Sequence, residues 1–139
     1  MKKISLLIFI LLNFMLSALA QQKSPNSIQN TEIEELVDYD KVKIKPQFKG
    51  ETWAFYLSHN LRYPENALKN KISGKVYVSF IIEKSGDISN VTLVEGLGYG
   101  LDEEAIRLIK NSPKWKPGYQ DKKVLVRVSC IIPISFNPI

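Results

Sequence analysis

The sequence is poor in the residues from which reactive sites are built. It has one cysteine, Cys130, among 139 residues, which excludes an intramolecular disulfide and any multi-cysteine metal site. Cys130 sits in an apolar stretch and reads as a buried free thiol. It has one histidine, His59, which excludes histidine-pair metal motifs and reads as a surface residue beside Phe55. No serine or cysteine motif pairs a nucleophile with a base, so the chain reads as no enzyme and as holding no cofactor or metal. Excess charge is also small. The net charge of +5 falls by two if Lys2 and Lys3 leave with a leader, and so weak a basic balance does not call for nucleic acid.

Residues 1–20 carry the one segment that reads as a targeting signal. Lys2 and Lys3 precede an apolar run over residues 4–12, Asn13 interrupts it, and Ser17-Ala18-Leu19-Ala20 closes it. A positive start, a short apolar centre and an Ala-x-Ala end predict a cleaved secretory signal peptide and a periplasmic product. The alternative is an uncleaved inner-membrane anchor; at about seventeen residues it stands at the lower limit for spanning. Residues 21–45 predict a flexible polar and charged linker. QQKSPNSIQN lacks apolar periodicity, and the acidic group Glu32 to Asp40, followed by Lys41, Lys43 and Lys45, reads as solvated.

Residues 46–139 predict one folded domain. Trp53, Leu57 and Leu61 recur at four-residue spacing and predict a helix over 51–61. Pro64 opens a short helix over 64–70. KVYVSFIIE at 75–83 and ISNVTLVE at 88–95 predict a hairpin about the turn Lys84-Ser85-Gly86-Asp87, with a bulge near Asn90-Val91. LDEEAIRLIKN at 101–111 predicts a helix. Asp102, Glu103 and Glu104 stand at its positive end, Arg107 and Lys110 near its negative end, and Pro113 stops it. The glycines at 96, 98 and 100 between strand and helix lack the dinucleotide spacing, and no P-loop lysine and hydroxyl follow, so they read as a connection.

The last strand is the longest element. In residues 123–136 the even file Val124, Val126, Val128, Cys130, Ile132, Ile134 and Phe136 is wholly apolar, while Leu125, Arg127, Ser129 and Ile131 belong to a mixed file. About fourteen residues span roughly 46 Å. The other strands are shorter, so part of this one is expected to lack a neighbour and to offer free backbone to another chain. The predicted fold is α+β, two-layered, with helices on one face of a three-stranded mixed sheet. The strand order is second, first, third, with the last strand at an open edge.

Taken in order, Tyr63-Pro64, Ala67, Gly74, Val76, Val78, Phe80, Gly86, Val91, Leu101-Asp102, Ala105, Trp115, Pro117-Gly118, Val124, Val128, Pro133-Ile134 and Phe136 make the chain resemble the TonB C-terminal domain family over residues 46–136. Pro46-x-Phe48-x-Gly50 resembles members from Bacteroidetes-type bacteria. The resemblance implies a periplasmic binding module linked to TonB-dependent transmembrane transport. Its last strand would add to an extended periplasmic N-terminal segment of an outer-membrane receptor, by β-augmentation.

Carried over, the partner-binding strand is residues 124–132: Val124, Leu125, Val126, Arg127, Val128, Ser129, Cys130, Ile131 and Ile132. Arg62 and Tyr63 join them, because the residue before Tyr-Pro lies at the contact in some transducers. Pro133 cannot donate to a ladder, so pairing is expected to stop before it. Two alternatives remain open. One is a membrane-anchored energy transducer that meets an inner-membrane motor complex through a retained leader. The other is a homodimer paired through the same edge.

Overall fold

The computed structural model describes residues 35–138. The predicted signal peptide, residues 1–20, and the first part of the predicted linker, residues 21–34, lie outside the described residues. The elements in chain order are β1 (Leu36–Asp38), β2 (Gln47–Phe48), α1 (Trp53–Asn60), α2 (Glu65–Lys69), β3 (Gly74–Ile82) and β4 (Ile88–Glu95). They continue with α3 (Leu101–Lys110), β5 (Trp115–Lys116), β6 (Gly118–Asp121) and β7 (Val124–Phe136).

The fold is α+β. β3 lies between β4 and β7 and is antiparallel to both. It pairs with β7 without a break, from Gly74 opposite Phe136 to Ile82 opposite Val128. The even residues of the two strands therefore share one face. Val76, Val78, Phe80, Val128, Ile134 and Phe136 are all inaccessible to solvent there. α3 covers that face with Leu101, Ala105, Leu108 and Ile109, its apolar stripe at three- and four-residue spacing. Each large side chain so buried contributes roughly 1.5–3 kcal/mol.

The hairpin bulge falls where the broken alternation placed it. Ser79 faces Thr92 and Ile81 faces Ser89, so Asn90 and Val91 together oppose Phe80, and Asn90 takes a positive φ of 49°.

Two expectations are corrected. The sheet has five strands where the pattern predicted three, because β6 pairs with Val124–Val126 of β7 and β1 joins β7 in parallel. The described part of the predicted linker also belongs to the fold. Val37 and Val42 are buried in the core, and Ile44 exchanges backbone hydrogen bonds with Tyr119 (2.9 Å each). Two apolar side chains with somewhere to go outweigh the polarity of their neighbours. Among the described residues no helix is long and apolar enough to cross a membrane.

Candidate functional site

The candidate site is the flank of β7 opposite β3. Residues 127–129 of it are occupied: β1 pairs there in parallel, Leu36 opposite Arg127, Val37 opposite Val128 and Asp38 opposite Ser129. β6 pairs with residues 124–126 from the β3 side, since Tyr119 turns both its backbone groups to Ile44 and leaves Gly118 to face Val126. The Tyr39 N–H then donates to the Ser129 carbonyl at 3.0 Å, and the chain turns away as Lys41 and Val42 N–H close on the Asp38 carbonyl. From Cys130 onward, no strand among the described residues pairs with this flank. An edge open along all of residues 124–132 is thus corrected to one that β1 interrupts at residues 127–129.

Backbone groups alternate sides along a strand. The Ser129 carbonyl points at β1, so the groups of Ile131 and Pro133 point the same way. Pro133 has no N–H. The Ile131 N–H is therefore the single outward donor between Ser129 and Pro133. Its side chain, 61% exposed, stands on the open face of the sheet.

On the other face the edge borders an apolar cavity of about 410 Å³, whose walls include Phe48, Trp53, Phe80, Trp115, Cys130 and Tyr39. Its aromatic walls come from remote segments. β2 pairs with β5, setting Phe48 opposite Trp115. Their ring centroids are 5.4 Å apart, and Trp53 lies 5.4 Å from Phe48, both in edge-on contacts. In the sequence Trp115 and Phe48 stand in separate family motifs, and no local pattern shows that they meet. The ordered motif Pro46-x-Phe48 was the available signal.

Electrostatics stiffens the strand beside β1. Arg127 grips Glu83 with two hydrogen bonds, Nε to Oε2 at 2.7 Å and Nη2 to Oε1 at 3.0 Å. The Arg127 hydrogen bond chiefly holds the Glu83 carboxyl below the usual carboxylate range, against the effect of burial. Ser129 Oγ donates to Asp38 Oδ1 at 3.1 Å. The Asp38 carboxyl is also lowered, first by Lys41 and then by Ser129.

Burial pushes the Cys130 thiol up to about 12. At pH 8 it is therefore expected to resist a thiol reagent in the folded protein and to react fully in denaturant; rapid labelling of native protein would contradict that.

Arg62 and Tyr63 lie apart from this place. The Tyr63 ring packs edge-on to Phe136 at 6.0 Å, and its hydroxyl donates to the Ile72 carbonyl. Phe136 is seven residues past Ser129, roughly 23 Å along the strand. The Arg62 N–H donates to Glu104 Oε1 at 2.6 Å, while the Arg62 residue is exposed. The strand and the Arg62–Tyr63 pair are therefore not one compact site.

His59 is exposed and lies against Phe55, with centroids 4.0 Å apart. The glycine connection holds its own anion. Asp102 Oδ1 accepts from the Leu97 N–H at 2.8 Å, and both Asp102 oxygens accept from the Gly98 N–H. A Cβ at Gly96 would stand 2.4 Å from that carboxylate. Among the described residues, no group of three or more histidine, cysteine, aspartate or glutamate side chains is placed to hold a metal.

A family model for the C-terminal region of the Gram-negative bacterial TonB protein matches residues 59–138. Similar solved structures include the C-terminal domain of Helicobacter pylori TonB in two forms. The first is 26% identical over 61% of this chain and 76% of that one, with a TM-score of 0.46. The second is 27% identical over 60% and 86%, with a TM-score of 0.44. The C-terminal domain of HasB is 29% identical over 65% and 72%, with a TM-score of 0.35. No curated protein matches the chain.

Proposed function

This chain belongs to the family of Gram-negative bacterial TonB C-terminal domains, and from that premise we propose that it is a periplasmic module that receives an extended segment of an outer-membrane transporter as an added strand on β7. The family's domains are periplasmic, non-enzymatic binding domains associated with TonB-dependent transport. In this reading the leader is cleaved, and the domain binds without itself being tied to the inner membrane.

The observation that carries the reading is the unpaired flank of β7 past Ser129, with the Ile131 N–H and C=O facing outward. Strand addition draws affinity from such backbone groups and selectivity from alternate side-chain seats. No chemistry is needed for this.

The test uses synthetic peptides copying the periplasmic N-terminal segments of the same bacterium's TonB-dependent transporters, titrated into the chain by amide exchange and calorimetry. The Ile131 amide is expected to gain protection, and none is expected at Ser135. Ile131→Pro removes the outward donor without touching the ladder to β3, so folding should persist while peptide affinity drops at least tenfold. A proline variant that binds as well as the parent protein overturns the reading.

A further inference from the structure

β1 already shows how a strand sits on this flank, and it makes poor use of the place. It is three residues long, shorter than most strands. Val37 is its one buried side chain, while Leu36 is 48% exposed. Asp38 reaches Ser129 on the open face, and the chain then leaves at Tyr39.

A strand that ran straight on would meet what β1 avoids. The residue after the Asp38 position would stand opposite Cys130 and, by alternation, on the same face as Val37. That is the face of Phe80 and Cys130, where the cavity between Phe48, Trp53 and Trp115 opens. The carbonyl of the residue opposite Cys130 would accept from the outward Ile131 N–H, as the Tyr39 N–H already donates to Ser129, and the next residue would lie beside Ile131. β1 and β2 both fall outside the stretch 59–138 that the family model matches.

We propose that β1 is a built-in occupant of the guest's place, and that the guest displaces it as a longer parallel strand of apolar–polar–apolar pattern. The first apolar side chain takes the seat of Val37. A hydrogen-bond acceptor replaces Asp38 at Ser129. The second apolar side chain enters the aromatic-walled cavity, from whose wall Tyr39 withdraws as β1 lifts away. This rests on the strand-addition reading and specifies its ligand.

The competition is set by numbers of contacts. β1 is tethered, so its effective concentration is in the millimolar range. A short guest that only copied it would lose to it. A guest that also fills the cavity and bonds Ile131 makes contacts β1 does not make. The occupant therefore acts as a threshold that passes strands long enough and apolar enough to reach past Ser129.

The test is a lock. Asp38 and Ser129 face each other with their side chains in hydrogen-bond contact, so Asp38→Cys with Ser129→Cys can be oxidised to fasten β1 in place; Cys130 points to the opposite face and stays out of the reaction. Two labelled peptides serve as probes on the full chain, Glu-Leu-Val-Asp-Leu-Thr and its counterpart Glu-Leu-Val-Asp-Asp-Thr. The leucine peptide is expected to bind the reduced variant, to lose at least tenfold in affinity on oxidation and to recover on reduction. The aspartate peptide is expected to bind the reduced variant at least tenfold more weakly.

Equal affinity in the oxidised and reduced states overturns displacement and leaves strand addition standing. Equal affinity for the two peptides removes the cavity as a seat and overturns the stated guest pattern. Failure of the reduced variant and of the parent chain to bind the leucine peptide, while transporter peptides bind, overturns the ligand chemistry alone. Failure to bind either kind of peptide overturns strand addition as well.

Discussion

Replacing Gly86 by alanine is expected to cost about 4 kcal/mol of folding stability, a large share of the roughly 5–15 kcal/mol such a domain has. Gly86 takes φ +84° in the turn between β3 and β4, a conformation that costs an L-residue roughly 1–2 kcal/mol. A Cβ there would also stand 2.0 Å from the Trp115 carbonyl oxygen, which is main chain and cannot rotate aside. The Gly86 carbonyl accepts the Trp115 N–H at 2.8 Å, and moving β5 away breaks that bond, at about 1–3 kcal/mol when the groups are buried.

The damage reaches the candidate site, because Trp115 pairs with Phe48 and walls the cavity beside Cys130. Gly98→Ala is the control. Its φ is +71°, but nothing lies within 4 Å of its added Cβ, so about 1–2 kcal/mol of backbone strain should be the whole effect. Urea denaturation followed by tryptophan fluorescence separates the two. If the two variants unfold at the same urea concentration, the close approach of β5 to this turn is wrong.

What could be read from the amino acids was whatever repeats locally. The even apolar file of β7, the hairpin about Ser85-Gly86 and the stripe of α3 each hold a period over enough residues to be recognised, and each formed. β1 was not legible. Three residues cannot show a period, and Leu36-Val37 is a short apolar pair between acidic residues. Its burial is decided by β7, ninety residues away in the chain.

The pairing of Phe48 with Trp115 is equally non-local, a two-residue ladder between segments that each look like loops. Edge availability suffered for the same reason. Pattern shows that a strand is long, whereas tertiary placement decides which stretch of it is free. Pro133 is the exception, since its missing N–H limits the ladder wherever the strand lies.

Glu104 belongs to the illegible part, and its removal carries the second large effect. From its position it read as one of three acids favouring the helix dipole. The fold buries it at 8% exposure. Oε1 accepts from the Arg62 N–H at 2.6 Å, and both oxygens accept from Arg107 at 2.7 Å. Arg107 in turn donates to the Asn60 carbonyl at 2.6 Å, so the carboxylate ties α3 to the chain between α1 and α2. Glu104→Ala leaves the Arg62 N–H and a partly buried guanidinium without their acceptor and is expected to cost about 3 kcal/mol.

The pH dependence follows from the same contacts. Burial is the largest single influence on the Glu104 carboxyl and raises it, but the hydrogen bonds from Arg107 and Arg62, with the charges of both arginines, together hold it below its ordinary value of 4.5. The folded state therefore binds fewer protons than the unfolded state in the acid range. Stability from this group is complete above the unfolded value and is lost as pH falls through the lower folded one. Glu104→Gln keeps an acceptor for Arg62 but gives up the charge. Its deficit against the parent protein should be clear at pH 7 and should shrink steadily below pH 4.5. Glu83 and Asp38 titrate in the same range, and they do so in both proteins, so the difference between the two urea curves isolates Glu104. A deficit that stays constant down to pH 3 would show that Glu104 holds the helices by shape and not by charge.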